Sequence, residues 1–207
     1  MAHYHPPKEW LLDYVAGKVN EGFRLVLGAH IEDCSECRHQ LHQLQTVGAG
    51  LLSTLAPSEL ASGAFTRVWQ RAQQLSPLAD APAQAFSVRT GLQKRWRDLK
   101  WQQWGPVKRA DVLLMNDCHV SLLHIKAGAR MPRHTHQGNE MTLILSGAYS
   151  DVYGRYDRGD VIVADGEQEH APVASSDEDC ICLVAESAPL RFTSPLMKLF
   201  NPLLRWR

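Results

Sequence analysis

Hydrophobic and polar positions repeat with a helical period over the first 75 residues and with a strand period in the second half. In "KEWLLDYVAGKVN", Leu11, Tyr14, Val15 and Val19 fall on one side at helical spacing and predict a first helix. "GFRLVLGAH" gives Leu25 and Val26, with Phe23, to a second. Asp33 and Glu36 have the D-x-x-E spacing of a capping box. A third helix is therefore expected to start near Cys34, run through Leu41, Leu44 and Val47, and fray around "GAGLL". A fourth, "ASGAFTRVWQRAQQL", carries Phe65, Val68, Trp69, Ala72 and Leu75 at i, i+3, i+4, i+7 and i+10.

After Leu75 the stretch "SPLADAPAQAFSVRTG" is rich in Pro, Ala and Ser, has no period and reads as a linker. From about Trp96 the texture changes to short β-rich runs, "DVLLM", "HVSLLHI", "MTLILSG", "DVIVAD" and "CICLVAE", separated by Gly, Asp and Asn. That rhythm suits an all-β sandwich or barrel. Helices followed by strands, without alternation, predict two domains rather than one α/β sheet. The expected division is a helical bundle of about four helices over residues 1–78, a linker over 79–95, a β domain over 96–195 and a tail over 196–207. The tail, "PLMKLFNPLLRWR", is mildly amphipathic and is expected to pack on the barrel or cover a sheet edge. No internal repeat is present.

Composition narrows the function. With 44% hydrophobic and 21% charged residues the chain can bury a core. Lys and Arg number 22, as do Asp and Glu, so the formal net charge is zero and no basic excess exists to neutralise phosphates; a direct nucleic-acid partner is not expected. No apolar run approaches the roughly 20 residues of a membrane helix, and "MAHYHPPKEW" lacks the pattern of a signal peptide. Five cysteines, unevenly spread, do not make a disulfide framework, which favours a reducing cytoplasm and metal or redox roles for CxxC.

One such pair lies in "HIEDCSECRHQL". Cys34 and Cys37, at i and i+3 in a first helical turn, project to one side, where the helix N-terminus favours thiolates. His30, ending the preceding helix, can reach the same point. Three N/S ligands suit zinc, and a tetrahedral structural site needs a fourth. The candidates are His5, His3, His39 and His42. His5, on a short arm before Pro6-Pro7, is favoured, with His3 second; a redox dithiol is disfavoured because no βαβ unit surrounds the pair.

A second constellation lies in "GARMPRHTHQGNEMTLILSG", where Gly128, His134, His136, Glu140 and Gly147 form G-x5-H-x-H-x3-E-x6-G. His134 and His136, at i and i+2 on a strand, face one way, into a barrel. Glu140 arrives from the next strand. "GDVIVADGEQEHAPV" adds Gly159, Gly166 and His170. Three imidazoles and a carboxylate suit zinc, iron, manganese, nickel or copper. Cys180 and Cys182 share a strand face, as core residues or as redox-sensitive thiols near that metal. Cys118, His119 and His124 show no partners and are read as structural.

The second half resembles a cupin. It matches the first cupin motif throughout and the second in part, since Asp165 stands where that motif has Pro and the following Gly-to-His spacing is one residue longer. A helical HxxxCxxC unit joined to a cupin resembles the ChrR-type anti-sigma factors over nearly the whole chain. The resemblance implies Zn2+ on His5, His30, Cys34 and Cys37 and a divalent metal, zinc first, on His134, His136, Glu140 and His170. It implies a cytoplasmic regulator whose helical half binds an extracytoplasmic-function sigma factor, and whose cupin responds to singlet oxygen or peroxide. Phe65, Val68 and Trp69 are the candidate partner-binding face, or else close the bundle core. The competing reading is a metal-dependent cupin enzyme, dioxygenase-like, with a helical partner or dimerisation module; Arg133, Tyr149, Tyr153 and Tyr156 would be its candidate polar groups. The leading expectation is that the chain is not an enzyme.

Overall fold

The computed structural model describes residues 2–74, 98–115 and 117–204. The linker expected over 79–95, the boundaries on either side of it and Leu75 lie outside the described residues. Four helices open the chain: α1 (Lys8–Val15), α2 (Glu21–Asp33), α3 (Ser35–Ser53) and α4 (Ala64–Gln74). The side chain of Asn20 caps α2 by accepting from Phe23 N at 3.1 Å. Asp33 does not cap α3. It ends α2, and Cys34 is the N-cap, its Sγ taking the Cys37 N–H at 3.5 Å. The cap therefore comes from a residue of the candidate ligand set. Helix α3 also continues through Gly48 and Gly50 instead of fraying there, and the hydroxyls of Ser53 and Thr54 take its last carbonyls.

The β half comprises β1 (Trp101–Trp104), β2 (Val107–Leu114), β3 (His119–Ile125), β4 (His134–His136), β5 (Glu140–Ser146), β6 (Ala148–Ser150), β7 (Arg155–Asp157), β8 (Val161–Ala164), β9 (Val173–Ala174), β10 (Cys180–Glu186) and β11 (Leu190–Phe192). A six-stranded sheet runs β1-β2-β3-β10-β5-β8, and smaller sheets, β7-β6-β9 and β11-β4, oppose it to form the barrel. Among the described residues every strand pairing is antiparallel.

Alternation along the central strands sends residues to two different cores. Val120, Leu122, Met141, Leu143, Leu183 and Ala185 face outward and meet Phe23, Val26 and Leu27 of α2 in one continuous apolar cluster. Their neighbours Ile144, Cys182 and Val184 face inward with Tyr149 and Tyr156. A sheet covered on both faces needs nearly continuous apolar strands, which is why "CICLVA" shows no polar alternation. In the structure α2 covers the sheet, because each would otherwise expose an apolar face. The fit is close: a Cβ at Gly22 would lie 2.7 Å from Cys118 Sγ and 2.9 Å from Val120 Cγ2.

The tail does both things expected of it. A 3-10 helix, Met197–Leu203, sits over one end of the barrel, and Asn201 pairs with the outer edge of β11, accepting from Phe192 N at 2.8 Å and donating to Phe192 O at 3.1 Å. Among the described residues no helix is long and apolar enough to cross a membrane.

Candidate metal centres

The short arm before α1 brings His5 against the α2–α3 junction. His5 Nδ1 lies 3.4 Å from Cys34 Sγ and 3.5 Å from Cys37 Sγ, and His30 Nε2 lies 3.2 Å from Cys37 Sγ. The four donor atoms fall within 4.8 Å of one another. Zinc bonds of about 2.3 Å to sulfur and 2.0–2.1 Å to nitrogen give a tetrahedron with N···S edges of about 3.5 Å, so the spacing fits. Burial pushes the His30 imidazole below its ordinary value and so keeps it neutral, as a ligand must be. Burial and the neighbouring Cys34 push the Cys37 thiol up to about 12. A cation there would replace that proton. His3, His39 and His42 are exposed and stand outside the cluster.

The barrel supports two of these four residues. His30 Nδ1 donates to Gly159 O at 2.9 Å, in the turn between β7 and β8. The next residue, Asp160, is 1% exposed and fixes the arm: its Oδ1 accepts from His3 N at 2.6 Å and Tyr4 N at 3.1 Å, while Oδ2 accepts from Asp157 N at 2.8 Å. Val161 N also donates to Tyr4 O at 3.0 Å. Gly159 has φ of +97°, a conformation only glycine adopts without strain, so this turn needs it for shape. Sequence reading found Gly159 but missed Asp160, whose only signal was an acidic residue after that glycine.

Inside the barrel His134, His136 and His170 converge. His170 Nε2 is 3.0 Å from His134 Nε2 and 3.2 Å from His136 Nε2. Outer partners fix two of the tautomers: His134 Nδ1 donates to Pro132 O at 2.7 Å, and His170 Nδ1 donates to Asp151 Oδ2 at 2.8 Å. Their Nε2 lone pairs therefore face each other across 3.0 Å, an arrangement that a shared cation satisfies and neutral imidazoles alone do not. Burial pushes His134 down to about 4 and lowers His136 too, which disfavours a second proton on either ring. Glu140 stands beside this trio and outside the mutual cluster, with Oε2 3.4 Å from His136 Nδ1 and Oε1 accepting from Thr142 Oγ1 at 3.1 Å. Asp165 shapes the turn before His170 by accepting from Glu167 N at 2.9 Å, which takes up the extra residue in that motif.

Next to the trio the barrel holds a cavity of about 570 Å3, lined mainly by apolar side chains and roofed by Met197 and Phe200. Tyr149 lines it; Tyr153 and Arg133 are exposed. His119 and His124, which had no visible partner in the sequence, are both engaged: His119 accepts from Arg109 Nη2 at 2.7 Å and donates to Asp111 Oδ1 at 2.8 Å, and His124 meets Asp179 Oδ2 at 2.7 Å. Arg109 Nη2 also donates to the buried Glu186 at 2.9 Å. Cys180 and Cys182 are buried thiols with sulfurs 3.6 Å apart, and the register of β10 on β5 shifts between Ile181 and Cys182. The candidate partner face is open. Phe65, Val68 and Trp69 are 72%, 69% and 55% exposed, and no residue of α4 is buried.

Known proteins match over the whole chain. A family described as the ChrR cupin-like domain matches residues 92–189. The anti-sigma-E factor ChrR of Cereibacter sphaeroides is 37% identical over 98% of this chain and 98% of its own. This chain belongs to the ChrR family of anti-sigma factors. A chain in the crystal structure of Rhodobacter sphaeroides SigE in complex with the anti-sigma ChrR superposes with a TM-score of 0.77 at 36% identity, covering 90% of this chain and 99% of that one.

Proposed function

We propose that this protein sequesters an extracytoplasmic-function sigma factor through its helical half and releases it when the barrel meets an oxidative signal. The observation that carries the reading is the full-length match to an anti-sigma factor combined with an apolar helix face left in solvent. Phe65 and Trp69 stack with ring centroids 6.1 Å apart and, with Val68, form a ridge suited to a partner's groove. His5, His30, Cys34 and Cys37 would hold zinc, which when bound supplies a cross-link between the arm, α2 and α3. His134, His136 and His170, with Glu140 beside them, would hold a second divalent metal. The chain's own residues do the rest: Pro132 O and Asp151 orient two imidazoles, and the Gly159–Asp160 turn joins the barrel to the first site.

On this reading the protein is a regulator rather than an enzyme. Copurification with its sigma factor tests the first half. Wild type should form a one-to-one complex, and Phe65→Ser/Trp69→Ser should lose it while keeping its melting temperature; retention of the complex would refute the assigned face. For the second half, oxidant should free sigma from wild type and not from His134→Ala/His136→Ala. Equal release from both would remove the barrel from the sensing role.

A further inference from the structure

Beyond the metal cluster, the barrel cavity contains one polar group that neither metal site uses. Tyr149, on β6, lines it, and only 4% of the residue is exposed. Among the described residues its hydroxyl has no hydrogen-bond partner, yet it is not one of the fully enclosed unpaired atoms, which are Arg109 Nε, His136 Nδ1 and Thr193 Oγ1. The hydroxyl therefore opens on the cavity. Its ring packs against that of Tyr156, with centroids 5.1 Å apart, which holds it in place. Burial, and then the neighbouring Cys182, Glu140, Asp151 and Tyr156, push the hydroxyl well above the ordinary phenol value, so it stays a neutral donor. The walls around it are largely apolar, among them Leu123, Ile125 and Val184, with Phe200 in the roof. At about 570 Å3 the cavity falls within the roughly 300–1,000 Å3 typical of small-molecule sites, and a mostly apolar lining does not favour filling by water.

We infer that this cavity binds a neutral, mainly apolar molecule carrying one carbonyl oxygen, a ketone or an ester, and that this oxygen accepts from the Tyr149 hydroxyl. The rest of the molecule lies against the apolar walls. A hydrocarbon would leave the O–H unpaired, and an unpaired buried donor costs most of its desolvation. A carboxylate would bring a third negative charge beside Glu140 and Glu186, which line the same space. A carbonyl, unlike an alcohol, asks for no acceptor in return. The site is read from the cavity alone, independently of sigma binding, and its test uses no sigma factor.

Calorimetric titration of the full metal-loaded chain with acetophenone, ethylbenzene and benzoate, which share a ring and differ in the head, decides the matter. Saturable binding of acetophenone is expected, with benzoate weaker by about tenfold or more, since like charges in one buried site repel. Tyr149→Phe keeps the ring and removes the donor. It should weaken acetophenone by about fivefold, the worth of one neutral hydrogen bond, and leave ethylbenzene no weaker. Should Tyr149→Phe fail to fold, the infrared carbonyl stretch of acetophenone bound to the wild type reads the same contact, and it should lie below its value in hexane. Four results would overturn the inference: no binding of acetophenone up to its solubility, benzoate binding as tightly, undiminished acetophenone binding in folded Tyr149→Phe, or a bound carbonyl stretch at the hexane value.

Discussion

Replacing Asp160 with Ala should weaken metal binding at the first cluster without touching His5, His30, Cys34 or Cys37. The carboxylate accepts two backbone N–H groups from the arm, His3 N at 2.6 Å and Tyr4 N at 3.1 Å, just before His5. Hydrogen bonds to a charged partner contribute about 1.5–3 kcal/mol each, but the freed arm is exposed and can turn to water. Weakening of arm docking by about 2–3 kcal/mol is therefore a reasonable bound, a factor of about 30 to 150. Two holds remain, the bond from Val161 N to Tyr4 O at 3.0 Å and the Tyr4–Tyr156 ring contact at 4.8 Å, so the net loss should be smaller. Zinc affinity is expected to fall about 10- to 100-fold, as for removal of other groups that orient a ligand. Competition against a chromophoric chelator measures it, with Asp177→Ala, in an exposed loop, as the control. Unchanged zinc affinity in a folded Asp160→Ala protein would show that His5 is placed without the barrel, and would refute the reasoning.

Gly22→Val should lower the melting temperature, because the new side chain meets Cys118 and Val120 across the α2–barrel contact; overpacking of this kind costs about 1–3 kcal/mol, and an unchanged melting curve would mean that the contact is slack. Zinc binding to the demetallated protein should release at least one proton at pH 7, since Cys37 is held protonated up to about 12; calorimetry in buffers of different ionisation enthalpy counts it, and zero release would exclude Cys37 as a thiolate ligand. Asp179, bonded to Lys126, Ala127 N and His124, is held well below the usual carboxylate range. A depressed folded pKa adds stability above the unfolded value near 3.8 and loses it as pH falls further. Asp179→Asn should therefore melt below wild type at pH 7, and the gap should close in acid below that value; a gap constant across pH would contradict the assignment.

Both clusters, Glu140 aside, were legible as groups of side chains because metal chemistry constrains residue type and spacing together. HxxxCxxC puts a helix end and a first helical turn at one point, and HxH puts two imidazoles on one strand face. That His5 and not His3 joins the first cluster was legible too, from the arm it sits on. What the sequence hid was support at long range. Asp151, Asp160, Arg109 and Glu186 reach their partners across separations of 19 to 157 residues, and a lone acidic or basic side chain has no period to mark it. The capping box failed for a local reason: the helix cap falls one residue later than Asp33, and Cys34 Sγ accepts the Cys37 N–H, so a candidate metal ligand took the place of a conventional cap. Contact between α2 and the sheet was hidden because apolar strands read alike whether covered by a sheet or a helix.

The same supporting residues make the two clusters neighbours in structure. Asp151, which orients His170, also faces the Tyr156 hydroxyl, and the Tyr156 ring stands edge-on to Tyr4, one residue before His5. On the other side of that ring the Gly159–Asp160 turn holds both His30 and the arm. Spatial continuity alone does not establish energetic coupling; that requires an element with two arrangements which both sites bias. The arm is the segment that meets both, carrying His5 and bonding to the Asp160 turn. It is short, with His3 and Tyr4 exposed, and besides its bonds to the barrel it is held by the buried Pro6 and by His5 Nε2 against Glu36 Oε2 at 3.4 Å. Any change in the barrel that moves the β7–β8 turn must therefore either carry the arm with it or break its hydrogen bonds, and His5 follows in both cases. Linkage then works in reverse as well: metal on His5 favours the docked arm, and with it the barrel conformation that the turn requires.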